Sequence, residues 1–104
     1  MKQTLSVLLF IIVVFASNAQ GQKNNLRGKI LDANNNILPG ASVIIVGTKY
    51  GVNANEAGEY LFDQIPTGKL KVQVSFAGFK TLTIDFDVQP GQNYLNLTLD
   101  NLDI

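Results

Sequence analysis

Apolar and polar residues trade places one for one along much of this chain. Leu70, Val72, Val74 and Phe76 alternate with Lys69, Lys71, Gln73 and Ser75. Leu82, Ile84 and Phe86 alternate with Thr81, Thr83 and Asp85, and Leu95, Leu97 and Leu99 with Asn96, Thr98 and Asp100. Tyr60 and Phe62 bracket Leu61 in the same manner. Successive side chains of a strand point to opposite faces, so each run predicts a strand with one buried and one wet face. Residues 43–46 are instead apolar throughout, which predicts a central strand covered on both sides. No window of a dozen residues carries a helical period.

Glycines at 40, 47, 51, 58, 68, 78 and 91 punctuate these runs, the rhythm of many short strands joined by tight turns. Pro39-Gly40 enters the central strand, and Ala57-Gly58, Thr67-Gly68 and Ala77-Gly78 stand where strands reverse. Pro66 and Pro90 fall in loops, where a missing N–H does no harm. Six strands fit, at residues 26–31, 41–47, 58–63, 69–76, 79–87 and 93–99, with an extra short one near Val52 as a seventh. The expected fold is all-β, a small antiparallel β-sandwich of six to seven strands.

The segment DANNN, residues 32–36, carries a competing signal, because Asp32, Asn34 and Asn36 space their oxygens as a calcium loop does. That loop needs glycine at its sixth position and a bidentate glutamate at its twelfth. Ile37 and Val43 occupy those positions. The cluster therefore reads as turn chemistry, with Asn35-Asn36 able to adopt left-handed backbone between Ile30 and Ile37. No metal site and no cofactor is assigned.

The first twenty residues differ from the rest. Lys2 precedes residues 5–16, which are apolar apart from Ser6, and Ser17 and Ala19 place small residues at the −3 and −1 positions of a signal-peptidase site. The run is shorter than a membrane span requires, so residues 1–19 read as a signal peptide cut between Ala19 and Gln20. Residues 20–25 then form a linker, 26–99 the domain, and 100–104 a C-terminal tail or the start of a further linker. The chain has no cysteine, hence no lipid-anchoring thiol and no disulfide, although it is expected to be exported to the periplasm or outer membrane.

Charge and residue types then narrow the function. The leader takes Lys2 with it, leaving seven Lys and Arg against eight Asp and Glu. Near-neutral balance argues against nucleic acid or anionic lipid as partner, since both demand a basic patch. With neither His nor Cys, the chain lacks the usual general base, thiol nucleophile and zinc ligands. Asp85 and Asp87 share a strand face, and Glu56, Glu59 and Asp63 lie close in sequence. Such carboxylates could perform glycosidase chemistry only in a cleft that splits their pKa values. They read instead as a solvated face, with Lys71 and Lys80 across from it. No catalytic residue is assigned. Tyr50, Phe79 and Tyr94 flank turns or strand ends, where an aromatic ring serves either as a glycan contact or as a cap on the core.

Taken together, several motifs resemble the carboxypeptidase regulatory-like domain. They are Gly28-Lys29-Ile30-Leu31-Asp32, Leu38-Pro39-Gly40-Ala41, Gly47-Thr48 with Gly51, and Glu56-Ala57-Gly58-Glu59-Tyr60. Ile65-Pro66-Thr67-Gly68 and Val74-Ser75-Phe76-Ala77-Gly78-Phe79-Lys80-Thr81 complete the pattern, which covers about residues 26–99. Asn53 and Asn55 depart from it, standing where the family often has Thr and Asp or Thr. The resemblance implies a transthyretin-like sandwich without catalytic residues. In Bacteroidetes-type bacteria this domain commonly follows the signal peptide of TonB-dependent outer-membrane receptors, including the SusC-like glycan importers. The expectation is a non-catalytic accessory domain of such a nutrient receptor, engaging its barrel or an associated surface or periplasmic protein. Residues 100–104 carry no energy-coupling box, plug or barrel strand. The alternative is thus a free-standing periplasmic or surface module, with a glycan as ligand. Free sheet edges would also let a partner add a strand.

Overall fold

A computed structural model describes residues 24–102. The leader, with its cleavage site between Ala19 and Gln20, lies outside the described residues. Eight strands run in order: β1 (Asn25–Asp32), β2 (Ser42–Ile45), β3 (Gly51–Asn53), β4 (Glu59–Phe62), β5 (Gly68–Ser75), β6 (Leu82–Val88), β7 (Gln92–Tyr94) and β8 (Leu97–Leu99). One sheet has the order β4-β1-β7, with β8 also on β1, and the other has the order β3-β2-β5-β6. They form a sandwich, as the alternation predicts.

The inward residues of both sheets make one core. Leu26, Ile30, Phe62, Leu97 and Leu99 come from the first sheet, and Val43, Ile45, Val72, Val74 and Val88 from the second. In the β5–β6 hairpin Val72 sits opposite Ile84 and Val74 opposite Leu82, while Lys71 faces Asp85 on the wet side. That register follows from the sequence period of two, because slipping one residue would bury the lysines.

Four details differ from the sequence expectation, each for a physical reason. Strands number eight among the described residues, because Gly51–Asn53 does pair as a short strand and the run at 93–99 breaks at Leu95-Asn96 into β7 and β8. Both of these pair parallel to β1, so the sandwich is not wholly antiparallel. The strand expected from residue 79 begins at Leu82, because the loop before it pairs with residues 100–102 instead. Lys80 N–H donates to the Asp100 carbonyl at 2.8 Å, Leu102 N–H to that of Gly78 at 3.1 Å, and Phe79 bridges Asn101. Finally, the apolar run at 43–46 is covered on one face only. Val43 and Ile45 are buried, whereas Ile44 and Val46 are 39% and 40% exposed.

At the end of β1 the Asp32–Asn36 segment is a turn closed by its own side chain. Asp32 Oδ1 accepts the N–H groups of Asn34 (2.8 Å) and Asn36 (2.9 Å), and Oδ2 accepts the Asn36 amide at 3.2 Å. Asn35 takes the left-handed conformation, φ 65°, which Asn tolerates better than most residues. The carboxylate that began as a ligand candidate is committed to backbone donors. The Asn36 N–H foremost, then that of Asn34, holds the Asp32 pKa below its ordinary 3.8. A depressed pKa means that the turn's stabilisation is fully present above the ordinary value and lost as pH falls through the lowered one. The Asn34 and Asn36 amide resonances should therefore titrate with a midpoint below 3.8 and cease to do so in Asp32→Asn. A midpoint at or above that value would show that these bonds do not form in solution.

Candidate functional site

The exposed face of the first sheet carries a groove of about 550 Å³, within the roughly 300–1,000 Å³ range of small-molecule clefts. Its floor is the outward side of β1. Arg27 lies in register between Leu61 of β4 and Tyr94 of β7, and Lys29 lies opposite Glu59. Asn55 and Asn96 close the groove at the level of Lys29 and Glu59.

The groove's shape originates one residue along, at Gly28. β7 and β8 follow β1 with a single parallel offset, since Asn25 pairs with Gln92 and Ile30 with Leu97. Between them, Leu95 N–H still donates to the Arg27 carbonyl at 2.8 Å. The Leu95 carbonyl, however, is turned into the sandwich, where the Tyr60 hydroxyl donates to it at 2.5 Å. A Cβ on Gly28 would lie 1.8 Å from that oxygen, so only glycine leaves room for it. The ladder acceptor lost to Lys29 N–H is replaced by Asn96 Oδ1, at 2.9 Å. Burial pushes the Tyr60 phenol well above its ordinary pKa, which keeps the hydroxyl protonated as the donor.

Most of the polar groups around the groove are donors. Asn55 Oδ1 accepts the N–H groups of Ala57 (2.9 Å) and Glu59 (3.0 Å). Asn96 Oδ1 is taken by Lys29 N–H. These bonds fix both amides with oxygen toward the backbone, so each NH₂ is the group left to offer. The Arg27 guanidinium lies 5.9 Å from the Tyr94 ring centroid, a cation–π distance, and that ring is 65% exposed. Among the described residues, neither Lys29 nor Glu59 forms an ion pair.

The aromatic residues singled out from sequence do not converge. Tyr94 lines the groove, with its hydroxyl donating to Gln92 Oε1 at 3.1 Å. Tyr50 is half-buried against the core beside Ile45, whose N–H donates to its carbonyl. Phe79, also half-buried, tilts against Phe76 with centroids 5.9 Å apart. Tyr50 and Phe79 thus belong to opposite ends of the β2–β5 pair. Arg27, Lys29, Glu59 and Asn96 were not legible as a group, because the antiparallel β1–β4 pairing brings Glu59 to Lys29 and the parallel course of the chain after β7 brings Asn96 there. Nor do the carboxylates of β6 enclose a cleft. Asp85 pairs with Lys71 at 3.2 Å with side chains 70% and 63% exposed, an arrangement worth about 0–1 kcal/mol.

Comparison with known proteins agrees with this architecture. A family model described as the CarboxypepD_reg-like domain matches residues 26–104. TonB-dependent receptor P3 of Formosa agariphila is 27% identical over 89 residues, covering 85% of this chain but 9% of that receptor. The chain thus spans under a tenth of the length of this curated relative. Among solved structures, a cohesin–X-dockerin complex from Acetivibrio cellulolyticus matches with TM-score 0.64 and 17% identity, over 73% of this chain and 56% of that one. A putative carbohydrate binding protein from Bacteroides uniformis matches with TM-score 0.61 and 20% identity, over 76% and 42%. Catechol 1,2-dioxygenase from Acinetobacter sp. ADP1 matches with TM-score 0.63 and 14% identity, over 84% and 55%. At such identities the likeness is one of fold, and fold alone carries no activity.

Proposed function

The chain belongs to the CarboxypepD_reg-like domain family, and from that membership we propose that it is a non-catalytic accessory module of a TonB-dependent outer-membrane nutrient receptor. The observation that carries this reading is the match to the Formosa agariphila receptor across 85% of the chain. In this reading residues 1–19 direct export and are removed between Ala19 and Gln20. The sandwich then engages the receptor barrel, or a surface or periplasmic protein associated with it. The exposed carboxylates and the absence of His and Cys leave it to work by contact.

An antibody raised against residues 24–102 tests this in the source bacterium. It should detect an outer-membrane species continuous with, or cross-linked to, a receptor barrel, and mass analysis of its N-terminal peptide should begin at Gln20. Recovery solely as a soluble periplasmic protein with no barrel partner would overturn the receptor reading. Retention of residues 1–19 would overturn the cleavage.

The second reading is a free-standing periplasmic or surface module that binds carbohydrate. The specific observation favouring it is the groove, where an exposed Tyr94 ring stands among amide and charged groups. That mixture of a flat apolar face and convergent polar groups suits a sugar. On this reading Tyr94 is the aromatic contact, and Tyr50 and Phe79 serve as caps on the core.

A further inference from the structure

We propose that the groove over β1 selects a negatively charged saccharide, one whose sugar units carry carboxylate or sulfate groups. This deepens the carbohydrate reading and rests on it. Its source is the direction in which the groove's hydrogen-bonding groups are committed. Asn55 and Asn96 have their oxygens tied to backbone N–H groups at 2.9–3.0 Å, so both present NH₂ donors. Arg27 and Lys29, two residues apart on one strand face, add guanidinium and ammonium donors. Against these four donors stands one strong acceptor, Glu59. Excess donors call for a ligand rich in acceptors, and two cations against one carboxylate call for one that is anionic.

Glu59 and Tyr94 distinguish a saccharide from a bare anion. The Glu59 carboxylate, opposite Lys29 and without an ion-pair partner among the described residues, can accept from a sugar hydroxyl while the cations hold the acid group. It would repel a bare anion such as sulfate, which has no hydroxyl to offer. The Tyr94 ring, with Arg27 near its centroid, supplies an apolar surface for the C–H face of a pyranose. The residues are held in place by backbone: Asn96 by Lys29 N–H, Asn55 by two N–H groups, and the strands by their pairing. The two amides are thus already placed, and the ordering left for binding is that of the exposed Arg27, Lys29 and Glu59 side chains.

Titration calorimetry on the full exported chain tests the assignment with five probes: tetragalacturonate, a sulfated galactan tetrasaccharide, neutral cellotetraose, a tetraglutamate peptide and sodium sulfate. At least one acidic saccharide should bind about tenfold or more tighter than cellotetraose. Its affinity should fall as NaCl is raised from about 50 to 500 mM. The tighter of the two acidic probes identifies carboxylate or sulfate as the preferred group. Lys29→Gln and Arg27→Gln should each weaken binding about tenfold, and Tyr94→Ala should weaken it too. Lys71→Gln, which removes a cation from the other sheet, should leave it unchanged. All these side chains are exposed, so circular dichroism should show each variant folded. Equal binding of cellotetraose, with the Gln variants unaffected, would overturn the charge selection while leaving a carbohydrate site. Binding of tetraglutamate or free sulfate as tight as the acidic sugars would overturn the saccharide assignment. Binding of none of the saccharides would overturn the carbohydrate reading itself.

Discussion

Val74→Asp should lose about 4 kcal/mol of stability or more in urea unfolding, and Gln73→Asp, one residue away, about 0.5 kcal/mol or less. Val74 is 1% exposed and pairs with Val43 and Leu82 on its two sides. A carboxylate there would be buried among the aliphatic side chains of both sheets, with no cation to meet it. Gln73 points the other way, beside Ile44 and Thr83 on the outer face, where water solvates a new charge. A domain of this size has about 4–12 kcal/mol in all, so the first variant sits near the unfolding threshold. If it fails to fold, Val74→Ala keeps the comparison measurable. It removes two buried methyl groups and should cost about 2 kcal/mol. Similar costs for the two aspartate variants would mean that β5 does not have this register.

Val74 also shows why the fold was readable in the chain. Where one sheet face is wet, the period of two names the residues that face the core, and β5, β6 and β8 followed it, with Leu82, Ile84 and Phe86 of β6 only partly buried. The same rule misjudged residues 43–46. Four consecutive apolar residues promise cover on both faces, yet Ile44 on the outer face of β2 and Val46 just past its end are exposed. Hydrophobicity reports what a residue tolerates, not which neighbour happens to cover it. The Asp32 turn was legible for a different reason. A carboxylate two and four residues from its N–H donors closes a loop locally, and local chemistry can be read without knowing the rest of the fold.

The groove was hidden because it depends on a parallel pairing between residues far apart in the chain. Nothing in the alternation at 93–99 says that Tyr94 will lie beside Arg27, or that Asn96 will replace a backbone acceptor for Lys29. Gly28 and Tyr60 stood in the sequence only as members of the family motifs, and their purpose needed the structure. Tyr94 was singled out as an aromatic near a strand end, and the partners that make its position chemically useful came with the register.

Gly28→Ala should be the costliest exchange of a single glycine in the described residues that keeps an ordinary backbone, at about 3 kcal/mol. The added Cβ would lie 1.8 Å from the Leu95 oxygen and 2.5 Å from its carbon, far inside van der Waals contact. The obstacle is backbone, so no rotamer change relieves it. The β7–β8 junction must swing away, adding overpacking strain to the loss of the Tyr60–Leu95 hydrogen bond in a buried place. Gly51→Ala is the control. Its Cβ would come no nearer than 3.4 Å to any neighbour, the Ile44 Cγ2 methyl, which is ordinary contact, so its stability should change by about 0.5 kcal/mol or less. Tyr60→Phe tests the cause. Removing the hydroxyl strands the Leu95 carbonyl and should cost about 1–3 kcal/mol. Because Gly28→Ala already displaces that carbonyl, the double variant should cost less than the two singles combined. Additive costs would separate the two residues, and a Gly28→Ala no worse than Gly51→Ala would mean that Leu95 does not approach β1 as described. The groove offers an independent reading of the same event. When the junction moves, Asn96 loses its hold on Lys29 N–H, and that amide resonance should shift in Gly28→Ala but stay in place in Gly51→Ala.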